Sequence, residues 1–521
     1  MKFTKLLSVL LLSFILFVGC TKVSNMLDSN SVFIDKEIDY TIDKVILSTS
    51  YQNTTPRAEI TGDRNEKKLL IYGGLVECSN VYISNIKQDG SSIIIYLKAD
   101  LSDEKSQLIV PQFTVSLNEE IPNLNSLNLE VVCKNYEPIK INYDLVDIIN
   151  KIKAEYGLYS STSPNVKIIK KDDGYWWSIQ FNNVFQKDDK QFPIINLETQ
   201  MNVETGEIRR INRELVSNFI DYGNMLFYSH GNGFIYLNSV DVALKDEKIN
   251  NLYFYDVNNL SNRLIFSTTT NLLNAQMCTC SNNISFNDEV GNVYIYTYKD
   301  SKLKKLDNLE DKTIERISWK NENELYLIDN YDEKSTKIYT YDIVTQDYSL
   351  YSQFYLNISN LNPYGDKIIF EEILSPAKNN NIYLSDSNGT LTYIDQGYKT
   401  AVFENNILVY LKYDETINSN SLNIFDLDKG KLIKSSKKDI VYFTQASNSE
   451  ILIMENTSQT DIYQTYLVDL FSSEITQLGK VFGLKSIYDS NNKRLYINST
   501  VPFEPDSSSI IYSIDADRLN K

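Results

Sequence analysis

The chain contains one histidine, His230, in the run Phe227-Tyr228-Ser229-His230-Gly231-Asn232-Gly233-Phe234. A single histidine excludes a multi-histidine metal site, and any serine–histidine–aspartate arrangement would have to use it. Gly231-Asn232-Gly233 is hairpin chemistry, so His230 reads as a turn residue rather than an acid–base group. Cys278-Thr279-Cys280 has C-x-C rather than C-x-x-C spacing, and no second pair follows. It therefore reads as two thiols on one side of a strand, not as a redox or metal pair. Cys78 and Cys133 could pair in an oxidising compartment. The turns Asp329-Asn330-Tyr331-Asp332-Glu333 and Asp426-Leu427-Asp428-Lys429-Gly430 offer oxygen ligands of the kind calcium takes. Neither has the D-x-[DN]-x-[DN]-G spacing, and both read as ordinary strand connections. No G-x-S-x-G nucleophile elbow occurs. Glycoside cleavage by paired carboxylates depends on separation in space, and 68 acidic residues leave it open. From the residues alone no catalytic, cofactor-binding or metal-ligating set is assigned. The formal charge of −17, from 51 basic and 68 acidic side chains over 521 residues, argues against a nucleic-acid partner.

The first residues read as an address. Lys2 and Lys5 precede an apolar run from Leu6 to Val18, broken only by Ser8 and Ser13. Thirteen residues make about 20 Å of helix, short of a ~30 Å hydrocarbon core, which is the layout of a secretory signal rather than a permanent span. Phe17-Val18-Gly19-Cys20 resembles a bacterial lipobox, with Phe17 in place of the commoner leucine. The resemblance implies cleavage before Cys20 and a diacylglycerol on its thiol. Losing Lys2 and Lys5 makes the mature chain two charges more acidic than −17, so the lipid rather than the protein surface must hold it at an anionic membrane. The expected location is extracytoplasmic, on a Gram-positive cell surface, given a Tyr-, Asn-, Lys- and Ile-rich composition.

Residues 20–37 form a polar tether. From 38 to 144 strand-length runs alternate, including 84–96, Leu108-Ile109-Val110, 127–132 and 138–143, with Asp89-Gly90 supplying a turn. The stretch from Tyr72-Gly73-Gly74 to Val110-Pro111-Gln112-Phe113 resembles the PrcB-type domain of extracytoplasmic protease complexes. Leu145, Ile148, Ile149, Ile152 and Tyr156 share one helical face. Strands at 175–181 and 194–203 and the Glu204-Thr205-Gly206-Glu207-Ile208 turn follow. Over 145–212 this plan resembles PepSY-type α+β units, some of which modulate peptidases.

From 213 to 521 the sequence repeats. An aromatic strand recurs, as in Asn251-Leu252-Tyr253-Phe254-Tyr255-Asp256 and Lys337-Ile338-Tyr339-Thr340-Tyr341-Asp342. Aligned on 253, 294, 339, 383, 423, 466 and 512, its spacing runs from 40 to 46 residues. That period, with several short strands per unit, is the signature of a β-propeller, because one blade cannot bury both of its faces alone. Alternation sends Leu252 and Phe254 to one face and Tyr253 and Tyr255 to the other. Hairpins at 317–327, 360–370 and 486–497 resemble those of TolB-like propellers and of the propellers that precede prolyl-oligopeptidase hydrolase domains. Pro363 and Gly365 suit such a turn. Ser385-Asp386-Ser387-Asn388-Gly389-Thr390 is similar to a sialidase Asp-box but out of register, and reads as a hairpin.

The expectation is a mostly β protein: signal peptide (1–19), tether (20–37), β-rich domain (38–144), α+β domain (145–212) and a seven-bladed propeller (213–521), six or eight blades being the alternatives. Because the last repeat ends close to Lys521, an upstream strand is expected to close the ring. The expected function is non-catalytic binding or scaffolding, with membrane attachment through Cys20 and a protein, peptide or glycan ligand at the propeller face. Regulation of an envelope peptidase, and glycosidase or lyase action on envelope polysaccharide, are the alternatives.

Overall fold

A computed structural model describes residues 36–519 except 63–66, 102–105, 160–162, 188–190, 230–231, 243–246, 279–282, 310, 333–334, 437, 460, 473, 484 and 501–508. The signal peptide, Cys20 and His230 thus lie outside the described residues. The chain divides into two compact units, Met1–Leu145 and Val146–Lys521. Among the described residues no helix is long and apolar enough to cross a membrane.

The first unit is built from two sheets around one core. One runs Lys36–Glu37, Asn80–Asp89, Ser92–Asp100 and Asn128–Cys133, its last pair parallel. The other runs Tyr40–Ser48, Gln107–Leu117, Lys68–Tyr72 and Arg57–Thr61, with Val76–Cys78 added to Gln107–Leu117. Alternation places Ile93, Ile95, Leu97 and Ala99 inward, where they meet Leu69, Ile71, Phe113 and Val115 of the other sheet. Asp89 faces Ser92 across the expected turn, where Gly90 takes a φ of 57°. Lys36 and Glu37, assigned to the tether by composition, instead pair with Gln88 and Lys87. Residues 138–143 form no strand: Pro138 has no N–H, and Ile139 alone donates to the Leu75 carbonyl, at 2.8 Å.

The helix Leu145–Tyr156, all but its first residue in the second unit, buries Ile148 and Ile152. A sheet follows in the order Leu158–Tyr159, Gly174–Gln186, Ile194–Asn202, Ile208–Leu215, with Asn165–Lys171 also on Gly174–Gln186. The remaining strands form seven four-stranded blades. Blade 1 is Asn224–Ser229, Gly233–Asp241, Lys248–Asp256 and Ser261–Thr268; blade 2 is Leu272–Met277, Asn283–Asp288, Val293–Thr297 and Lys302–Lys305. Blade 3 is Ile314–Trp319, Glu324–Asp332, Ser335–Asp342 and Tyr348–Phe354. Blades 4 and 5 share the long strand Leu391–Phe403. Its first half completes blade 4 beside Ile358–Tyr364, Lys367–Glu372 and Asn380–Ser385. Its second half opens blade 5 before Ile407–Asp414, Ser419–Asp426 and Lys431–Ser435. Blade 6 is Ile440–Gln445, Glu450–Asn456, Ile462–Asp469 and Ile475–Phe482. Blade 7 takes Lys485–Asp489, Arg494–Thr500 and Ser509–Asp515 from the end of the chain and Ser217–Tyr222 from upstream, Ser217 facing Ile514. An upstream strand therefore closes the ring, as the position of the last repeat led one to expect.

Among the described residues seven apolar clusters fill the seven junctions. Leu252 and Phe254 pack toward blade 2 with Ala275, Met277 and Ile284, while Tyr253 and Tyr255 turn toward blade 7 with Tyr496 and Ile511. Blade 7 meets blade 1 through Phe234, whose ring lies 5.0 Å from Tyr255 and 5.3 Å from Tyr496. A buried aromatic or aliphatic side chain contributes about 1.5–3 kcal/mol, so the ring is held chiefly by these inter-blade faces. The α+β sheet joins this framework: Phe185 meets Phe482 at 5.0 Å, and the Tyr512 hydroxyl donates to the Phe192 carbonyl at 2.8 Å. In the blade 4 hairpin Gly365 turns with φ 59°, but Pro363 sits within the strand opposite Ile368, not in the turn.

Candidate functional site

The first strand of every blade faces one cavity of about 760 Å³. An inner strand leaves one edge unpaired, and its backbone groups need partners. In six of the seven first strands the ladder breaks at a register shift, as between Ile314 and Arg316 or Tyr398 and Ala401. Such bulges re-aim side chains. Carbonyls along these edges are then capped from the preceding blade. Asn274 donates to Glu315 O, Arg316 to Ser359 O, Asn360 to Thr400 O, Lys399 to Val441 O and Lys485 to Met225 O. Among the described residues five of the seven junctions are bridged in this way, so the wall of the cavity is a polar girdle inside an apolar ring.

The charge of that girdle is opposite to that of the chain. Arg316, Lys399 and Lys485 line the cavity, and among the described residues no carboxylate lies within 4.0 Å of any of them. Burial by surrounding protein pushes the Lys485 ammonium below the usual lysine range; Lys399 is lowered by burial and then by repulsion from Lys485. Both stay reachable by water through the cavity. Among the described residues the one acid in the lining is Glu371. It is 3% exposed and accepts bonds from Thr400 N at 2.7 Å, Thr400 Oγ1 at 2.9 Å, Asn380 Nδ2 at 2.9 Å and Asn360 Nδ2 at 3.2 Å. Its oxygens are occupied in tying blade 4 to blade 5. Aromatic surface is supplied by Tyr398, Tyr442, Phe403 and Trp319. Burial pushes the Tyr442 phenol up to about 12, so it stays a neutral donor.

The residues singled out by spacing lie elsewhere. Asp426 accepts from Lys429 N at 2.9 Å and pairs with Lys429 Nζ at 2.6 Å, while Asp428 accepts from Asn406 at 2.9 Å. Asp386 accepts from the backbone N–H groups of Asn388 and Thr390, both at 3.0 Å, which closes a turn. Asp329 is buried, its carboxyl raised by that burial, and its Oδ1 has no partner among the described residues. No group of three or more potential metal ligands gathers among the described residues. Cys78 and Cys133 are free thiols, both raised by burial. Cys278 is disulfide-bonded, with a partner outside the described residues, which corrects the reading of the C-x-C run as two thiols.

Sequence reading missed the cavity cations. A signal for them existed: Gln276, Arg316, Ser359, Lys399, Tyr442 and Lys485 follow one another at 40 to 43 residues, in step with the aromatic repeat. Their side-chain types differ, so no motif marks them.

No protein-family model and no curated protein sequence matches the chain. Its fold is similar to that of an oligogalacturonate lyase in complex with manganese, at 11% identity over 63% of this chain and 97% of that chain, TM-score 0.42. It is also similar to the β-propeller domain of the Trilobed protease from Pyrococcus furiosus, at 12% identity over 57% and 95%, TM-score 0.42. A third likeness is to Pyrococcus horikoshii acylaminoacyl peptidase, at 14% identity over 58% and 54%, TM-score 0.43.

Proposed function

We propose that this chain is an extracytoplasmic binding protein, lipid-anchored through Cys20, whose propeller receives a protein, peptide or glycan partner at the central cavity without transforming it. The observation that supports this most is the 760 Å³ cavity walled by all seven blades, a size within the ~300–1,000 Å³ of typical ligand sites. Its wall offers donors, aromatic faces and cations. Its hydroxyls Thr400 Oγ1 and Ser359 Oγ do donate to the Glu371 carboxylate, but that acid is buried and already holds Thr400 N and two asparagine amides, and as the single carboxylate of the lining among the described residues it leaves no acid pair for glycoside hydrolysis there. The lipobox and the TolB-like hairpins are consistent with a surface module of this kind, and the PrcB-like and PepSY-like segments would serve as spacer or second contact.

The test is an array of envelope glycans and peptides probed with the full chain and with Tyr442→Ala, followed by mass analysis of what is retained. The expected result is retention that weakens in the variant, with the ligand recovered chemically intact. Retention that ignores the cavity substitution, or recovery of cleaved ligand, contradicts the reading.

A further inference from the structure

Arg316, Lys399 and Lys485 occupy the same step of the repeat on blades 3, 5 and 7, so three cations converge on one cavity from alternate blades. Each caps a carbonyl of the next blade. That task does not need a charge, because Asn274 on blade 2 and Asn360 on blade 4 perform it as neutral amides. The positive charge is therefore surplus to the fold. It is also unfavourable within the protein itself, since Lys485 repels the Lys399 ammonium and Glu371 is already occupied by neutral donors. A chain with a net charge of −17 that gathers uncompensated cations at one point focuses a positive potential there, against the field of its own surface.

Two further groups narrow the ligand. Gln276 and Gln445 line the same cavity, and their side chains make no hydrogen bond to any described residue. A carboxamide both donates and accepts, as a sugar hydroxyl does. An acidic peptide would satisfy the cations and its backbone amides would pair with these carboxamides too, but an acidic sugar presents its anionic group and several donor–acceptor hydroxyls on one rigid ring, which loses less entropy on ordering. Resting on the reading of the cavity as a binding site, we infer that its ligand is an acidic saccharide, with a carboxylate or phosphate held among Arg316, Lys399 and Lys485 and hydroxyls held by Gln276 and Gln445.

The experiment is calorimetric titration of the full chain with a uronate oligosaccharide, a hexose phosphate, the neutral counterpart of each, inorganic phosphate and an oligoglutamate peptide. The comparison is repeated on the double variant Lys399→Gln, Lys485→Gln, which keeps an N–H donor at each site and removes the charge. Binding of one or both acidic sugars is expected, with the arm that binds telling carboxylate from phosphate. The neutral sugars and inorganic phosphate should bind at least about tenfold more weakly, and the double variant should lose at least about tenfold in affinity for the acidic sugar. Its melting temperature should equal or exceed that of the wild type, because a repulsion has been removed. Equal binding of neutral sugar, or acidic-sugar binding unchanged in the double variant, overturns the inference. Tighter binding of oligoglutamate overturns the saccharide class while leaving the cavity a binding site. If no probe binds while an array ligand still depends on Tyr442, this inference fails and the binding reading stands.

Discussion

Asp256, Asp342, Asp386, Asp426 and Asp469 close the third strands of five blades, and each carboxylate accepts from backbone N–H groups two to four residues ahead. Arg316, Lys399 and Lys485 sit on first strands, where each holds a single carbonyl of the next blade. Both sets recur with the blades, yet their charges are treated differently. The aspartates are consumed locally: Asp256 takes bonds from Asn258 N at 2.9 Å, Asn259 N at 3.0 Å and Asn259 Nδ2 at 2.7 Å, and also from the Tyr298 hydroxyl. The cations keep an uncompensated charge facing open space. Five of the chain's 68 acids are thus consumed as turn scaffolding, whereas the three cations of the girdle have no carboxylate within 4.0 Å among the described residues.

Both sets depend on ring closure, so the largest effect comes from breaking the blade 7–blade 1 junction. Phe234 is fully buried between Tyr255 and Tyr496. Phe234→Ala should cost about 3–5 kcal/mol in denaturant unfolding. A loss below ~1 kcal/mol would mean that the junction is not packed as described.

The turn aspartates come next. Hydrogen bonds hold the carboxyls of Asp342, Asp386, Asp426 and Asp469 below the usual carboxylate range, and Asp256 is also lowered, burial opposing its bonds. A carboxyl lowered in the folded state adds stability that is complete above its unfolded value, 3.8, and is lost as pH falls through the lower folded value. Thermal melts should therefore decline below about pH 4, each solvent-screened turn contributing a small share, and vary little with these groups between pH 5 and 7. Asp256→Ala should cost about 1–3 kcal/mol at neutral pH and flatten part of the acid limb, because the Tyr298 hydroxyl and the Asn259 amide lose their acceptor. An acid limb unchanged in Asp256→Ala would remove this aspartate from the account.

The same contrast explains what could be read in advance. Tyr253, Tyr294, Tyr339, Tyr383, Asn423, Tyr466 and Tyr512 all fall on third strands, the strands buried between neighbouring blades. Burial on both faces restricts those positions to aromatic and branched residues, so the repeat is visible and the propeller follows from it. First strands border a cavity on one edge, and nothing in packing requires Arg316, Lys399 and Tyr442 to resemble one another. Their common role emerges only when the aromatic period is carried over to polar positions. Pro363 looked like a turn residue because Pro-x-Gly is turn chemistry, but a strand edge facing the cavity has no ladder bond for proline to remove. Cys278 was read as a free thiol because spacing alone does not reveal a disulfide.

The central claim is that an acidic propeller encloses uncompensated cations. It is tested most directly by reductive ¹³C-methylation of the lysines and a pH titration followed by NMR, with Lys399→Gln and Lys485→Gln assigning the two signals. Two resonances should titrate below the main lysine group, and removing Lys485 should raise Lys399 toward it. If both titrate with the surface lysines and Lys399 does not respond to loss of Lys485, the cations are compensated and the account of the cavity is wrong.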